Sequence, residues 1–253
     1  MIDYSKVKSG KLPAIHDPHT LQLGHYLRSE KLPSPPKSTR YSKKVKNWGS
    51  MLNNKIGDCT CAAAGHMIQQ WTADASKEII PPDNAILKAY EELSGYDPKT
   101  GKHDTGAPCL KVLKYWRKTG IYKHRIKAFM AIEPNNHAQI RDSVYLFGGC
   151  YIGLQLPLTV KTQRVWSVPP GGPVGAGKPG SWALHCVPIV DYDERQLTVV
   201  SWGVTLGMTW NFLDTYRDEA YVVLSEDWIT PKGIDPKGID FKTLEADLKA
   251  VAR

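Results

Sequence analysis

The apolar pattern of this chain changes period once, and that change constrains the fold more than any other feature. From Asp58 through the stretch after Asn136, apolar residues recur at helical spacing; beyond Cys150 they gather into short strand-like runs. Asp58 is a good N-cap, and Cys61, Ala64, Ile68 and Trp71 follow on one face. Asp83 can cap a second helix carrying Ile86, Ala89, Tyr90 and Leu93. A third is expected from about Pro108 to Lys118, stopped by Gly120, and a fourth after Asn135 or Asn136. Strands are expected over Cys150–Pro157, Ala183–Tyr192, Gln196–Trp202 and Tyr221–Leu224, with a Pro/Gly-rich loop over Val168–Ser181. Helices first and strands later imply an α+β fold with segregated layers.

Outside this domain, read as 49–230, lie two segments of other character. Residues 1–48 form a basic, Pro-rich arm: ten Lys or Arg against Asp3, Asp17 and Glu30, or +7 of the chain's formal +8. Its run Lys31-Leu32-Pro33-Ser34-Pro35-Pro36-Lys37 favours extended or polyproline conformation. The arm is expected to wrap the domain or contact a protein partner, with a solvated tail as the alternative. Because the charge sits there, the domain carries no net sign of a nucleic-acid face. Residues 231–253 read as a linker, two copies of Pro-Lys-Gly-Ile-Asp, then a short helix on Phe241, Leu244, Leu248 and Val251.

No apolar run is long enough to span a bilayer, and the N-terminus has no signal-like apolar stretch. Five cysteines, an odd number, leave at least one unpaired within the chain. Free thiols in a reducing compartment follow, hence a cytoplasmic location, or a virion-associated one for a phage protein. Cys59, Cys61 and His66 lack the two-residue gap usual in zinc sites, so no metal is expected. Gly172 to Pro179 nearly spells a phosphate-binding loop, but Pro179 replaces the magnesium-binding hydroxyl and disfavours the helix that must follow. No organic cofactor is expected either.

A nucleophilic cysteine needs a lowered pKa, a histidine base, an oxyanion donor and something to hold the histidine. Cys59 follows the helix cap, where the helix dipole favours a thiolate, and Gly57 allows close backbone approach. Asn53, six residues upstream, can offer a side-chain amide. Cys61, the rival, has Lys55 at that spacing and aligns with core positions.

These residues resemble those of the papain-like cysteine peptidases, which carry an amide residue six positions before the cysteine of a Gly-x-Cys opening the central helix. The second half is similar too: His185-Cys186-Val187-Pro188-Ile189-Val190-Asp191-Tyr192, then Val200-Ser201-Trp202-Gly203, matches the family's histidine strand and its Asn-Ser-Trp-Gly. The resemblance covers roughly residues 50–229. It implies a helical lobe bearing the cysteine helix packed against an antiparallel sheet lobe bearing the histidine. It also implies Cys59 as nucleophile, His185 as base, Asn53 and the Cys59 N–H at the oxyanion, and Gly57, Asp58 and Trp202 along the cleft. Two positions depart: Thr60 stands where the family has Trp, and Val200 where it has the orienting Asn. Ser201 can orient His185 if the register shifts by one, or a backbone carbonyl can. The expected function is cysteine-dependent hydrolysis of peptide or amide bonds in a peptide or protein substrate. The alternative is a papain-like scaffold without useful turnover, a binding or structural protein such as part of a phage particle.

Overall fold

The computed structural model describes residues 2–27, 33–75 and 77–228. Helix α1, Cys59–Ala75, is buried on nearly every side, so its residues must be small where neighbours approach. A Cβ on Gly65 would lie 2.5 Å from Met51 Sδ and 2.8 Å from Ile86 Cδ1. Around α1 pack α2, Asp83–Ser94, and α3, Cys109–Lys118. Gly95 ends α2 in the left-handed region at φ +77°. Two helices lie elsewhere on the sheet. They are α4, His137–Phe147, capped by the Asn136 side chain accepting from Gln139 N, and α5, Trp210–Tyr216, capped by Thr209.

Seven strands form one sheet: β1 Ile126–Ala131, β2 Cys150–Leu156, β3 Val165–Trp166, β4 Ala183–Tyr192, β5 Gln196–Ser201, β6 Val204–Thr209 and β7 Arg217–Ser225. Their order is β1-β7-β2-β4-β5-β6-β3, antiparallel throughout except for the β3–β6 pair. Side chains alternate between two apolar clusters. Tyr151 joins Ile68, Trp71 and Trp116 under the cysteine helix, while the next residue, Ile152, joins Val144, Phe147 and Phe212. The structure is therefore α+β, with a helical layer bearing Cys59 packed on a mostly antiparallel sheet bearing His185.

Residues 2–27 and 33–48 lie against this domain as a strap whose only helical pieces are single turns at Leu23–His25 and Tyr41–Lys44. Leu23 and Tyr26 are buried in the sheet core, and Ala131 N–H donates to Leu21 O at 2.7 Å. Further on, the Asp191 carboxylate accepts from Tyr41 N and Ser42 N.

Several elements depart from expectation. Asp58 gives only its backbone carbonyl to α1, accepting from Cys61 N and Ala62 N, and its carboxylate caps nothing. Strands β1, β3 and β6 and helix α5 were not anticipated, and β7 is longer than Tyr221–Leu224. β3 is two residues long, and β6 reads Val-Thr-Leu-Gly-Met-Thr, an alternating strand pattern that the sequence reading passed over. The linker and C-terminal helix read over 231–253 lie outside the described residues.

Candidate active site

Cys59 is the first residue of α1, and His185 lies near the start of β4. Packing α1 on the sheet places Cys59 in one buried cluster with Cys186, the residue after His185. The imidazole itself is completely buried. Its Nε2 lies 2.8 Å from Ser201 Oγ. Trp202 covers the ring face, with centroids 4.4 Å apart and planes 16° from parallel. Nδ1 is buried and has no hydrogen-bond partner among the described residues.

The question left open by Val200 is resolved by strand alternation. At the end of β5, Val200 points into a small apolar cluster with Val45, Trp48 and Val190, while Ser201 points the other way, onto His185. Trp202 then turns off the strand at φ +50°.

The sulfur accepts a hydrogen bond from Gly10 N at 3.3 Å, and no hydrogen bond joins it to His185. Gly10 belongs to the strap, which crosses the site in extended form. Lys8 N–H donates to Asn53 O at 3.2 Å, and Lys8 O accepts from Trp202 Nε1 at 2.7 Å. Ala107 N–H donates to Gly10 O at 2.8 Å, and Leu12 N–H donates to Ala107 O at 3.2 Å. The passage is tight. A Cβ on Gly10 would overlap the Gly57 backbone, and one on Gly106, already at φ +85°, would overlap the carbonyl of Gly10. Asp104 holds both walls, accepting from Gly57 N at 2.7 Å and from Tyr90 OH at 2.7 Å, while Tyr90 OH accepts from Gly106 N at 2.9 Å.

Enclosure sets the protonation states. Burial pushes the Cys59 thiol up to about 12 and the His185 imidazolium down to about 3, so both are neutral at pH 7. The helix dipole expected to favour a thiolate is outweighed by desolvation. Asp58 is fully buried, and burial raises its carboxyl well above the usual range. The Asn53 amide makes a long 3.4 Å bond to Ile56 O. Among the described residues, no three His, Cys, Asp or Glu side chains converge as a metal site requires, and all five cysteines are buried and unpaired.

The structure thus brings Cys59, Asn53, Gly57, Asp58, His185, Ser201 and Trp202 into one region. Lys8 and Gly10 on the strap, and Gly106 and Ala107 on the loop before α3, were missed by sequence reasoning, because extended and loop segments leave no periodicity to detect. Gly106→Ala should expel the strap, since a backbone-on-backbone clash has no rotamer to relieve it. Alkylation of Cys59 by iodoacetamide, followed by peptide mapping, should then accelerate by about tenfold or more, equivalent to ~1.4 kcal/mol of easier opening. An unchanged rate would show that the strap does not guard the sulfur.

No protein-family model and no curated protein matches the sequence. Solved structures do match the fold. Xylellain, a cysteine protease from Xylella fastidiosa, aligns with a TM-score of 0.64 at 15% identity, over 87% of this chain and 96% of that one. The procathepsin B S9 of Trypanosoma congolense aligns with a TM-score of 0.61 at 10% identity, over 88% of each chain. This chain has the papain-like fold. A recombinant stem bromelain precursor aligns at TM-score 0.52 and 14% identity, over 88% of this chain and 79% of that one. The papain-like fold accounts for the meeting of the first residue of a central helix with the histidine strand of the sheet.

Proposed function

We propose that this protein is a cysteine-dependent hydrolase of peptide or amide bonds, resting with its cleft occupied by its own strap. One observation carries the reading. A buried imidazole is clamped between Trp202 and Ser201 on the strand that packs against the cysteine helix, and its Nδ1 is left without a partner among the described residues. Leaving a buried ring nitrogen unpaired costs about 1–3 kcal/mol, a cost a purely structural histidine has no reason to carry. With its proton on Nε2, the ring donates to Ser201 Oγ and Nδ1 keeps a free lone pair.

When the strap leaves, water enters and desolvation no longer holds the two groups neutral. Nδ1 takes the Cys59 thiol proton, and the thiolate attacks the substrate carbonyl. The Cys59 N–H and the Asn53 amide receive the developing oxyanion. The imidazolium returns its proton to the leaving amine, and water then hydrolyses the thioester. Ser201 is a positioning residue. In the resting state the strap offers an N–H to the sulfur rather than a carbonyl carbon, so it occupies the site without being cut there.

The neutral, enclosed sulfur also fits the second reading, a scaffold without turnover. Full-length Gly106→Ala protein, incubated with a quenched fluorescent peptide library, separates the two. Cleavage that disappears on adding Cys59→Ala supports the hydrolase. Iodoacetamide labelling of Cys59 without any cleavage supports the scaffold.

A further inference from the structure

Immediately beyond Gly10, the Lys11 side chain leaves the strap and enters the body of the protein. Its side chain is fully enclosed, and Nζ lies 2.7 Å from Asp218 Oδ2 and 2.8 Å from Glu219 Oε1. Those two carboxylates are neighbours on β7, where successive side chains should point to opposite faces. A bulge defeats the alternation. Gly153 of β2 pairs with Glu219 and Leu154 with Arg217, leaving Asp218 as the extra residue. Bulges re-aim side chains in this way, and here both acids reach one point.

Three further features make this a built pocket rather than a chance cluster of acids. Gly153 leaves the room: a Cβ there would overlap Lys11 Cε and lie 2.6 Å from Asp218 Oδ1. Asp218 and Glu219 expose only 9% and 6% of their side chains, and Asp218 Oδ1 is buried with no hydrogen-bond partner among the described residues. Tyr221 OH donates to the other Glu219 oxygen at 2.9 Å, fixing that carboxylate in place. Burial alone would pull the Lys11 ammonium down, but the Glu219 and Asp218 carboxylates beside it help to raise it above its ordinary value. Two buried carboxylates with one cation between them are costly without that cation.

We infer that Asp218, Glu219 and Gly153 form a cation-selecting subsite of the cleft, filled in the resting state by Lys11, that accepts a lysine or arginine side chain of a peptide within two residues of the bond at Cys59. The inference rests on the hydrolase reading for the word substrate, but the pocket's preference for a cation does not. The placement follows from the strap itself. Gly10 touches the Cys59 sulfur, and the next residue, bridged to Ala107, fills the pocket. A peptide laid along the same Ala107 edge presents a side chain to the same two acids. The strap therefore closes the cleft by offering the side chain the cleft selects.

The test uses full-length protein carrying Lys11→Glu, which places a third carboxylate in the pocket and should drive the strap out. Iodoacetamide labelling of Cys59 should accelerate at least tenfold over the parent, whereas Lys11→Arg should keep the parent's slow rate. In the Lys11→Glu protein, a Gly/Ser hexapeptide with one lysine at its third position should protect Cys59 at a concentration at least tenfold lower than the same peptide with norleucine. Adding Asp218→Asn and Glu219→Gln should abolish that difference. Equal protection by the two peptides, no protection by either, or an unchanged labelling rate in Lys11→Glu would each overturn the subsite. Lysine-selective protection without cleavage of the peptide would keep the subsite and sink the hydrolase reading instead.

Discussion

Ser201→Ala, introduced into protein whose cleft has been opened, is expected to lower kcat/KM for peptide cleavage about 100-fold, or ~2.7 kcal/mol of transition-state stabilisation. The hydroxyl lies 2.8 Å from His185 Nε2 and is the ring's only hydrogen-bond partner among the described residues. Removing it frees the tautomer and the ring angle, so the effect should fall on kcat more than on KM. Folding stability should fall as well, by about 1–3 kcal/mol, because Nε2 is left buried and unpaired. Ser201→Thr should restore much of the rate, which a loss due only to packing would not allow. Val200→Asn is the contrasting variant. Its amide would enter the cluster of Val45, Trp48 and Val190, on the strand face away from His185. It should cost about 2–4 kcal/mol of stability in a denaturant titration and bring no gain in rate. A gain in rate from Val200→Asn would mean that β5 sits one residue out of the register described here.

Asp58→Asn is expected to stabilise the closed protein at pH 7, by about 2 kcal/mol, with the gain fading as pH falls toward 4. Asp58 is fully buried, its carboxylate oxygens have no hydrogen-bond partner among the described residues, and burial raises its pKa well above 3.8. In the unfolded chain the carboxyl ionises above about 3.8, while in the folded chain burial raises its pKa well above that. The unfolded state therefore binds fewer protons between these limits, and the group's contribution to stability is full below pH 3.8 and is lost as pH rises. A neutral amide of the same shape removes that pH-dependent loss. Comparing wild type and variant at each pH cancels the titration of every other group. Urea denaturation at pH 4, 5.5 and 7 measures it, and a gain that stays constant across these values would show that Asp58 is ionised in the folded state.

Much of this site is legible in the linear sequence, because the site relies on short, ordered local signals. The spacing from Asn53 to Gly57 and Cys59 belongs to one turn and one helix start. The run from His185 to Tyr192 belongs to one strand, and Ser201-Trp202-Gly203 ends the next. Each carries its own period or turn chemistry, which is enough to expect an α+β chain, and the resemblance of these motifs to those of papain-like peptidases implies the cysteine on a helix and the histidine on the sheet. Local signals also place most helices, since helical amphipathicity repeats within a few turns.

What the tertiary structure alone decided depends on contacts between residues far apart in sequence. Whether Val200 or Ser201 faces His185 is a question of strand parity, and parity is set by pairing across the sheet. The protonation of Cys59 reverses what the helix start suggests, because enclosure by the strap and the domain removes the water that would solvate a charge. Lys11 reads in the sequence as one of ten arm cations; only a bulge in β7 and a missing side chain at Gly153 turn it into the occupant of a two-carboxylate pocket. An extended segment bonds through its backbone, which every sequence possesses, so its docking site is written in the shape of the surface it crosses rather than in its own residues.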